Sequence, residues 1–429
     1  MQRLTCMALI LMALAAAWGA APAPHGLVQG YLAKGGRPIF PIGIYEMPKT
    51  AAELDAMAKA GINLVRCQGQ DDLDRAQSAG MMGWVPLPLD SPDQARLRQL
   101  VAAVKDHPAM AAWEGPDELV WGFTANSALY RGGIHKQPGE WWKQTPEAVA
   151  YADAQAAKVV PQVIANIGLL RSLDGGRHPL WMNEAAGSDL KFVREYVERV
   201  DITGCDTYPI NEGKRHPSAA ADYTDRFLSV GENRPVWMVL QGFAWADLHI
   251  PGSTEKAAYP SFPETRLMVY EALVHGARGI LYWGTAYIPS AAGSAFRDSI
   301  YAMTRELAPL DPFLTAPEEK AVRVALTETT GRPEAGDRGV HWLARRAGLE
   351  WLIVLANEDD HPHMGVEVQG LEALNGRRLD LLYGTESATI RAGEFITRLM
   401  PQEVKVFSTS HKWESPAPAG RDFTDEESK

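Results

Sequence analysis

The chain has 429 residues, of which 46% are hydrophobic and 22% are charged, and its formal net charge is −11. These proportions are those of a folded protein with one large domain and room for a smaller one. The negative charge and the lack of a Lys/Arg cluster argue against a nucleic acid or an anionic membrane as partner, because both require clustered positive side chains.

The first 19 residues have the features of a secretory signal peptide. One basic residue, Arg3, precedes an apolar run from Met7 to Trp18, and the small residues at 17 and 19 suit a cleavage site. We therefore predict that residues 1–19 are removed and that the mature chain is exported, to the periplasm or to the medium. The apolar run is short for a membrane span, and we predict no span in the rest of the sequence.

Short apolar runs alternate with amphipathic helices from residue 26 to residue 316. The first helix opens with a capping box, Thr50 to Glu53, and a later helix opens at Ser91 with a proline in its first turn. An aromatic-rich insertion, Leu119–Gln144, follows the fourth strand. The predicted strands are Pro38–Glu46, Ile62–Gln68, Met82–Leu89, Met110–Trp113, Pro179–Glu184, Asp201–Asp206, Pro235–Gln241 and Gly279–Trp283. Eight such units predict an α/β fold, a (β/α)8 TIM barrel, with its active site at the carboxyl ends of the strands.

The hydrophobic period changes from helical to alternating at about Glu319. Strand-like runs separated by Gly, Asp, Asn and Pro continue to about residue 409. They predict a small C-terminal antiparallel β-sandwich over residues 319–409. The polar segment 411–429 is predicted to be a disordered tail.

Two cysteines, Cys67 and Cys205, remain in the predicted mature chain. Each lies near the end of an apolar run, which favours a buried, unpaired thiol. A disulfide between the two is the alternative.

Carboxylates stand at the ends of four predicted strands. They are Glu46, Asp117 with Glu118, Glu184 and Asp206. A single acid at such a place is about as often a helix cap or a partner for a base such as Arg66, but several on one rim suit the cleavage of glycosidic bonds, which requires two carboxyl groups. Neighbours on an extended strand point to opposite sides, so a partner for Asp117 or Glu118 is expected from another strand.

Aromatic and amide side chains at other strand ends could bind a sugar. Flat rings can stack on pyranose faces, although at least half of these rings are expected to pack inside the fold. The candidate substrate contacts are Tyr45, Glu46, Gln68, Asp117, Trp121, Tyr208, Gln241 and Trp283.

The segment His107–Glu118 resembles the fourth-strand motif of the large clan of TIM-barrel glycoside hydrolases, in which a terminal Glu is the proton donor. Asp117 stands where many members have Asn. Asp206–Pro209 and Ala277–Trp283 are similar to the sixth- and eighth-strand segments of these enzymes, and the trailing β-domain is similar to theirs. The resemblance covers nearly all of the mature chain and implies a carbohydrate substrate and Glu118 as general acid.

The seventh strand departs from the pattern of the clan. It ends in Gln241, where the clan has its nucleophilic Glu, and an amide cannot attack an anomeric carbon. Three possibilities stay open: another acid activates water, a carboxylate on a different strand is the nucleophile, or the barrel binds sugar without cutting it. For the second carboxylate we favour Asp206, then Glu184, then Glu46.

Other chemistries find little support. The sequence has no His-Glu-x-x-His or Cys-x-x-Cys spacing, no Gly-x-Ser-x-Gly elbow and no P-loop. Its eleven histidines include His361-Pro-His363, in a predicted turn of the β-domain. We therefore predict no metal and no cofactor.

These patterns lead to one principal hypothesis, an exported glycoside hydrolase with Glu118, Asp206 and Glu184 as the catalytic candidates. The alternative is a non-catalytic carbohydrate-binding barrel, and a structural or envelope role is a weaker third.

Overall fold

The computed structural model describes residues 26–125, 140–232, 234–250, 252–289, 293–327 and 337–415. The predicted signal peptide, the middle of the aromatic-rich insertion and residues 416–429 lie outside these ranges. Within them, no helix is both long and apolar enough to cross a membrane.

Eight parallel strands close into a barrel, as predicted. They are β1 (Ile42–Ile44), β2 (Leu64–Arg66), β3 (Met82–Pro86), β4 (Met110–Glu114), β5 (Leu180–Ala185), β6 (Ile202–Thr207), β7 (Val236–Gln241) and β8 (Gly279–Trp283). The barrel closes where Ile280 of β8 pairs with Ile42 of β1. The predicted first strand was too long, because Arg37–Ile39 pairs instead in a separate sheet with Leu27–Val28 and Tyr31–Lys34.

Helices follow the strands around the barrel. They are α1 (Ala51–Lys59), α2 (Gln70–Ser78), α3 (Gln94–Val104), α4 (Leu119–Phe123), α5 (Pro146–Asp174), α6 (Leu190–Val193), α7 (Ala219–Gly231), α8 (Phe262–Val274), α9 (Ser294–Leu307) and α10 (Asp311–Leu314). The predicted capping box of α1 is present, with Thr50 and Glu53 each accepting the backbone N–H of the other. The N-cap of α3 is Asp93 rather than Ser91, because the Asp93 carboxylate accepts the N–H of Arg96 while the Ser91 hydroxyl accepts that of Asp93.

Aromatic side chains fill the barrel interior below the carboxyl ends of the strands. Tyr45, Trp84, Trp181 and Trp237 are buried there, with neighbouring ring centroids 5.3–6.1 Å apart. A Cβ atom added to Gly204 would lie 2.7 Å from the Trp181 ring, so this glycine makes room for the indole. We call these four aromatic residues the floor of the barrel.

The C-terminal domain is the predicted antiparallel sandwich. Its strands are β9 (Arg323–Leu326), β10 (Val340–Ala347), β11 (Glu350–Asn357), β12 (His363–Gln369), β13 (Arg378–Leu381), β14 (Ser387–Thr389), β15 (Phe395–Leu399) and β16 (Val404–Ser408). One sheet has the order β9-β12-β15 and the other β10-β11-β16-β13-β14. Leu352 and Val354 of β11 pack in the same core cluster as α8, so this sheet also lies against the barrel.

Two smaller predictions can be compared with the structure. Cys67 and Cys205 are buried and unpaired, as favoured. The prediction that disorder begins at His411 was wrong for the first five residues, because His411–Trp413 forms a 3-10 turn and the Trp413 ring packs 4.8 Å from that of Phe313.

Candidate active site

Strand β4 ends in a buried carboxyl group that the sequence analysis missed. Glu114 is completely buried, its Oε2 atom lies 2.6 Å from Arg66 Nε at the end of β2, and Trp84 Nε1 donates to the same oxygen at 3.2 Å. Burial raises the pKa of Glu114 to about 8, although the Arg66 charge opposes this shift. The predicted strand ended one residue too early, at Trp113. Side chains alternate along a strand, so a strand extended by one residue would have placed Glu114 on the same interior side as Ala112.

Asp117 and Glu118 face the same mouth of the barrel, contrary to the expectation that they point to opposite sides. That expectation assumed an extended strand, but β4 ends at Glu114 and Glu118 has a φ of 51°. Asp117 accepts a hydrogen bond from Asn183 Nδ2 at 3.0 Å, and Glu118 is hydrogen-bonded to Asp206 at the end of β6. The turn after β4 therefore brings three carboxyl groups together.

Glu118 and Asp206 form one proton-holding pair. Burial and the neighbouring Glu118 charge raise the pKa of Asp206 well above its usual value, and burial also raises the pKa of Glu118. The Tyr208 hydroxyl donates to Asp206 Oδ2 at 3.1 Å. Two carboxyl groups in hydrogen-bonding contact retain a proton between them, because both cannot ionise cheaply at that distance. The two catalytic carboxyl groups of a glycosidase are about 5 Å apart in retaining enzymes and roughly 6.5–9.5 Å apart in inverting ones. Glu118 and Asp206 are closer than either, so they do not lie on opposite sides of one anomeric carbon.

Asp117 is the most accessible of these acids. Its side chain is exposed to solvent, whereas Glu118 is half-buried and Asp206 is buried. The walls of the mouth still displace much of the surrounding water, and this desolvation raises the pKa of Asp117 against the opposing effects of Asn183 and Arg66. Asp117 can therefore meet a solute or a water molecule directly.

Glu184 lies at the end of β5, but protein donors occupy its carboxylate. It accepts the Tyr196 hydroxyl at 2.6 Å, the Ser188 hydroxyl at 2.7 Å and the Val120 N–H at 3.0 Å. Because its neighbour Asn183 faces the mouth, alternation turns Glu184 to the outer side of the barrel. Burial raises the pKa of Glu184 to about 7. This arrangement suits anchoring of the first turn of α4 rather than contact with a substrate.

Glu46 is also an anchor. Its carboxylate accepts the N–H of Gly284 at 2.7 Å, together with the N–H and the hydroxyl of Thr285 at 3.2 and 2.7 Å. It therefore joins the end of β1 to the loop after β8, where Gly284 has a φ of 97°.

Gln241 is completely buried and bonded to the backbone. Its Nε2 donates to the carbonyl groups of Ile210 and Phe243 at 2.8 and 3.0 Å, and its Oε1 accepts the Ile210 N–H at 3.0 Å. Two carbonyl acceptors and one N–H donor match an amide, whereas a carboxylate would face two carbonyl oxygens. The position thus requires Gln for local structure, and its amide is not placed as a sugar contact.

Aromatic rings line the mouth on the side of β6 to β8. Tyr208 and Trp283 stack with centroids 5.4 Å apart and an interplanar angle of 26°, and Phe243 lies edge-on to both. Tyr287, 49% exposed, extends the cluster at 5.4 Å from Trp283. These rings offer a flat, partly exposed surface next to Asp206.

The remaining candidates take different positions. Trp121 pairs with the exposed Trp142, with centroids 5.9 Å apart, near the start of α4. Gln68 is exposed at the end of β2, where its N–H donates to Asp72. Tyr45 belongs to the floor, with the Arg66 guanidinium over its ring. The structure therefore brings together five of the predicted site residues, Asp117, Glu118, Asp206, Tyr208 and Trp283. The other candidates bind protein groups, belong to the floor of the barrel or lie at the margin of the mouth.

Comparisons with solved structures show the fold to which this site belongs. A glycoside hydrolase family 5 protein from Bacteroides vulgatus matches with 15% identity and a TM-score of 0.50, over 89% of this chain and 92% of that one. A family 42 beta-galactosidase from G. stearothermophilus matches with 11% identity and a TM-score of 0.52, over 86% and 98%. No protein-family model and no curated protein matches the sequence. The chain therefore has the fold of TIM-barrel glycoside hydrolases, and identities this low establish the fold alone.

Proposed function

We propose that the protein is a glycoside hydrolase that acts on an oligo- or polysaccharide, with the Glu118–Asp206 pair as its source of the catalytic proton. The observation that carries the proposal is the hydrogen-bonded contact of these two carboxyl groups, one after β4 and the other at the carboxyl end of β6, the two strands that flank β5. A carboxyl group that keeps its proton near neutral pH is what protonation of a glycosidic oxygen requires.

The two members of the pair have different exposures and therefore different roles. Glu118 is half-buried and reaches the solvent of the mouth, so it donates the proton to the leaving oxygen. Asp206 is buried behind it, is held by Tyr208, and acts through Glu118 as a positioning residue that keeps the proton in place.

A second carboxylate has to act at the anomeric carbon, and we assign this role to Asp117. Its exposed position allows it to orient and deprotonate a water molecule. Gln241 cannot form a covalent intermediate, because its amide is not nucleophilic and is bonded to the backbone. The expected outcome is single displacement by water, with inversion of the anomeric configuration.

The stacked pair Tyr208 and Trp283, with Tyr287 beside it, is proposed to hold a sugar ring. Aromatic faces bind the apolar face of a pyranose, while the acids lie at its edge. Trp121 and Trp142 offer a second such surface on the other side of the mouth.

Purified protein incubated with a panel of oligo- and polysaccharides tests the proposal by release of reducing ends. We expect Glu118→Gln to remain folded and to lose about 100- to 10,000-fold in turnover, the usual contribution of a positioned acid. Glu195→Gln, an exposed acid outside the mouth, is the matched control and should retain full activity. Unchanged turnover in Glu118→Gln would refute the assignment.

The buried amide of Gln241 favours a second candidate, a barrel that binds carbohydrate without cleaving it. Calorimetric titration with the same glycans separates the two functions. Binding without product release from any glycan of the panel supports the second candidate, and product release supports the first.

Export is a separate proposal, supported by the pattern of residues 1–19. Expression of the full chain followed by N-terminal sequencing of the protein recovered outside the cytoplasm is expected to show a mature chain that begins after Gly19. Recovery of the uncleaved chain from the cytoplasm alone would contradict it.

A further inference from the structure

The turn between β11 and β12 brings two histidines and an aspartate together, far along the chain from the mouth residues. Asp359, His361 and His363 each offer one ligand atom, and these atoms lie within 4.8 Å of one another. Asp359 Oδ2 is 2.9 Å from His363 Nε2 and 4.0 Å from His361 Nε2. Neighbouring ligands of a tetrahedral zinc ion are about 3.4 Å apart, given bonds of about 2.1 Å. The two observed distances bracket this spacing.

We propose that this turn binds a divalent transition-metal ion, with Asp359, His361 and His363 as protein ligands. Two imidazole nitrogens and one carboxylate oxygen suit zinc and its neighbours in the first transition row, whereas calcium and magnesium prefer sites made of oxygen alone. Three protein ligands leave a coordination position for water or a small anion.

The carboxylate is fixed before any ion binds. Asp359 is buried, its Oδ1 accepts the N–H of Arg338 at 2.6 Å and its Oδ2 accepts the N–H of Gly339 at 2.9 Å. Asn357 Oδ1 accepts the N–H of Asp359 at 3.0 Å, which also holds the backbone of the turn. The ion would take the place of the proton between Asp359 Oδ2 and His363, so little rearrangement is needed.

The site is also accessible, which ion entry requires. The His361 side chain is 40% exposed, and His363 lies behind it with the two ring centroids 4.9 Å apart. The exposed Asp360 carries a carboxylate oxygen 3.9 Å from His361 Nδ1. This separation is too long for a hydrogen bond, so Asp360 adds negative charge near the site without orienting the His361 ring.

A neighbouring cluster provides an internal contrast. His275, His341 and Glu358 also lie within ligand distance of one another. Both His275 ring nitrogens are already paired, Nε2 with Glu358 at 2.7 Å and Nδ1 with Asp225 at 2.9 Å. This second cluster is therefore an ion-paired contact between barrel and sandwich, and we do not propose a metal there.

Titration of the chelator-treated full chain with zinc chloride tests the proposal, by calorimetry at about pH 7, where imidazole is largely neutral. We expect wild type to bind one zinc ion that His361→Ala binds at least about tenfold more weakly. His411→Ala is the matched control, because His411 is an exposed histidine with carboxylates 3.0 and 3.6 Å away. His411→Ala should bind zinc as wild type does. Calcium chloride should give no comparable heat of binding with wild type, His361→Ala or His411→Ala.

A second readout covers the buried ligand. Cobalt(II) in place of zinc gives visible absorption that reports nitrogen and oxygen ligation, and we expect it in wild type and in His411→Ala but not in His361→Ala or in folded His363→Ala. His363 is buried, so the circular dichroism of His363→Ala is recorded first, and His361→Ala decides the matter if that variant fails to fold. Equal zinc affinity in wild type and His361→Ala, or no zinc uptake by wild type, would overturn the proposal.

Discussion

Gln241 and Ile210 exchange two hydrogen bonds, with the side-chain amide of Gln241 meeting both the N–H and the carbonyl of Ile210 at 3.0 and 2.8 Å. The interaction ties the end of β7 to the loop that follows β6, next to Tyr208 and Asp206. It gives a structural reason for an amide at the end of the seventh strand, where the resemblance of the sequence to glycoside hydrolases led us to expect a nucleophilic Glu.

Introducing a carboxylate at this position should therefore destabilise the protein. We expect Gln241→Glu to lower the free energy of unfolding by about 1–3 kcal/mol, because a buried acceptor would face the Ile210 and Phe243 carbonyl groups without a donor. Urea unfolding measures the change, with Gln99→Glu on the exposed face of α3 as control. A variant as stable as wild type that cleaves glycans with retention would contradict this explanation of the amide.

Asp206→Asn tests the proton-holding pair through the pH dependence of turnover. Burial of both groups and the charge of Glu118 raise the pKa of Asp206, so the pair keeps a proton to higher pH than an ordinary carboxyl group does, and an amide at 206 removes the second proton site. The basic limb of the rate profile should move to lower pH, because Glu118 alone loses its proton more readily. A lower rate with an unshifted limb would show that Asp206 serves the structure only.

The free energy of unfolding should depend on pH through the protonation of Glu114. Burial raises the pKa of Glu114 to about 8 in the folded protein, above the value of about 4.3 expected when it is unfolded. The stabilising contribution of the protonated form is thus fully present below about pH 4.3 and is lost as the pH rises through about 8. Urea unfolding between about pH 6 and about pH 9 should show a smaller decline in Glu114→Gln than in wild type. An equal decline in both would mean that the ion pair with Arg66 keeps Glu114 charged throughout.

His275 connects α8 of the barrel to Glu358 of the sandwich. Burial opposes its charge, but the hydrogen bonds that His275 donates to Glu358 and Asp225 raise the pKa of His275 to about 9. Its stabilising contribution is present below about pH 6.5 and is lost as the pH rises through about 9. We expect His275→Ala to lower the free energy of unfolding by about 1–3 kcal/mol at neutral pH, since Glu358 Oε1 loses a charged hydrogen-bond partner while Oε2 keeps Arg338, and by less above pH 9.

His216→Ala, at a half-exposed histidine 4.0 Å from Asp222, is the control for this effect. Differential scanning calorimetry can show in addition whether the barrel and the sandwich still unfold together in His275→Ala. A loss of stability that does not depend on pH would assign the effect of His275 to packing rather than to charge.

The barrel could be predicted from the sequence because its apolar runs and amphipathic helices alternate regularly. The ends of the strands were less predictable, and the site depends on them. The fourth strand extends one residue further than predicted, which hid Glu114, and the positive φ of Glu118 overturned the expectation that Asp117 and Glu118 point to opposite sides. The roles of Gln241 and Glu184 could not be predicted, because they depend on backbone groups of Ile210 and Val120, which any residue type would supply.

The floor of the barrel has a spectroscopic consequence. The indole N–H of Trp84 donates to the carboxyl group of Glu114, and the ring is completely buried. A change in the charge of Glu114 alters the electric field across this indole, and ultraviolet absorption and emission of tryptophan respond to such fields. The unlabelled protein thus carries its own optical indicator of protonation below the mouth, which can be followed as a difference spectrum against Glu114→Gln while glycans are added.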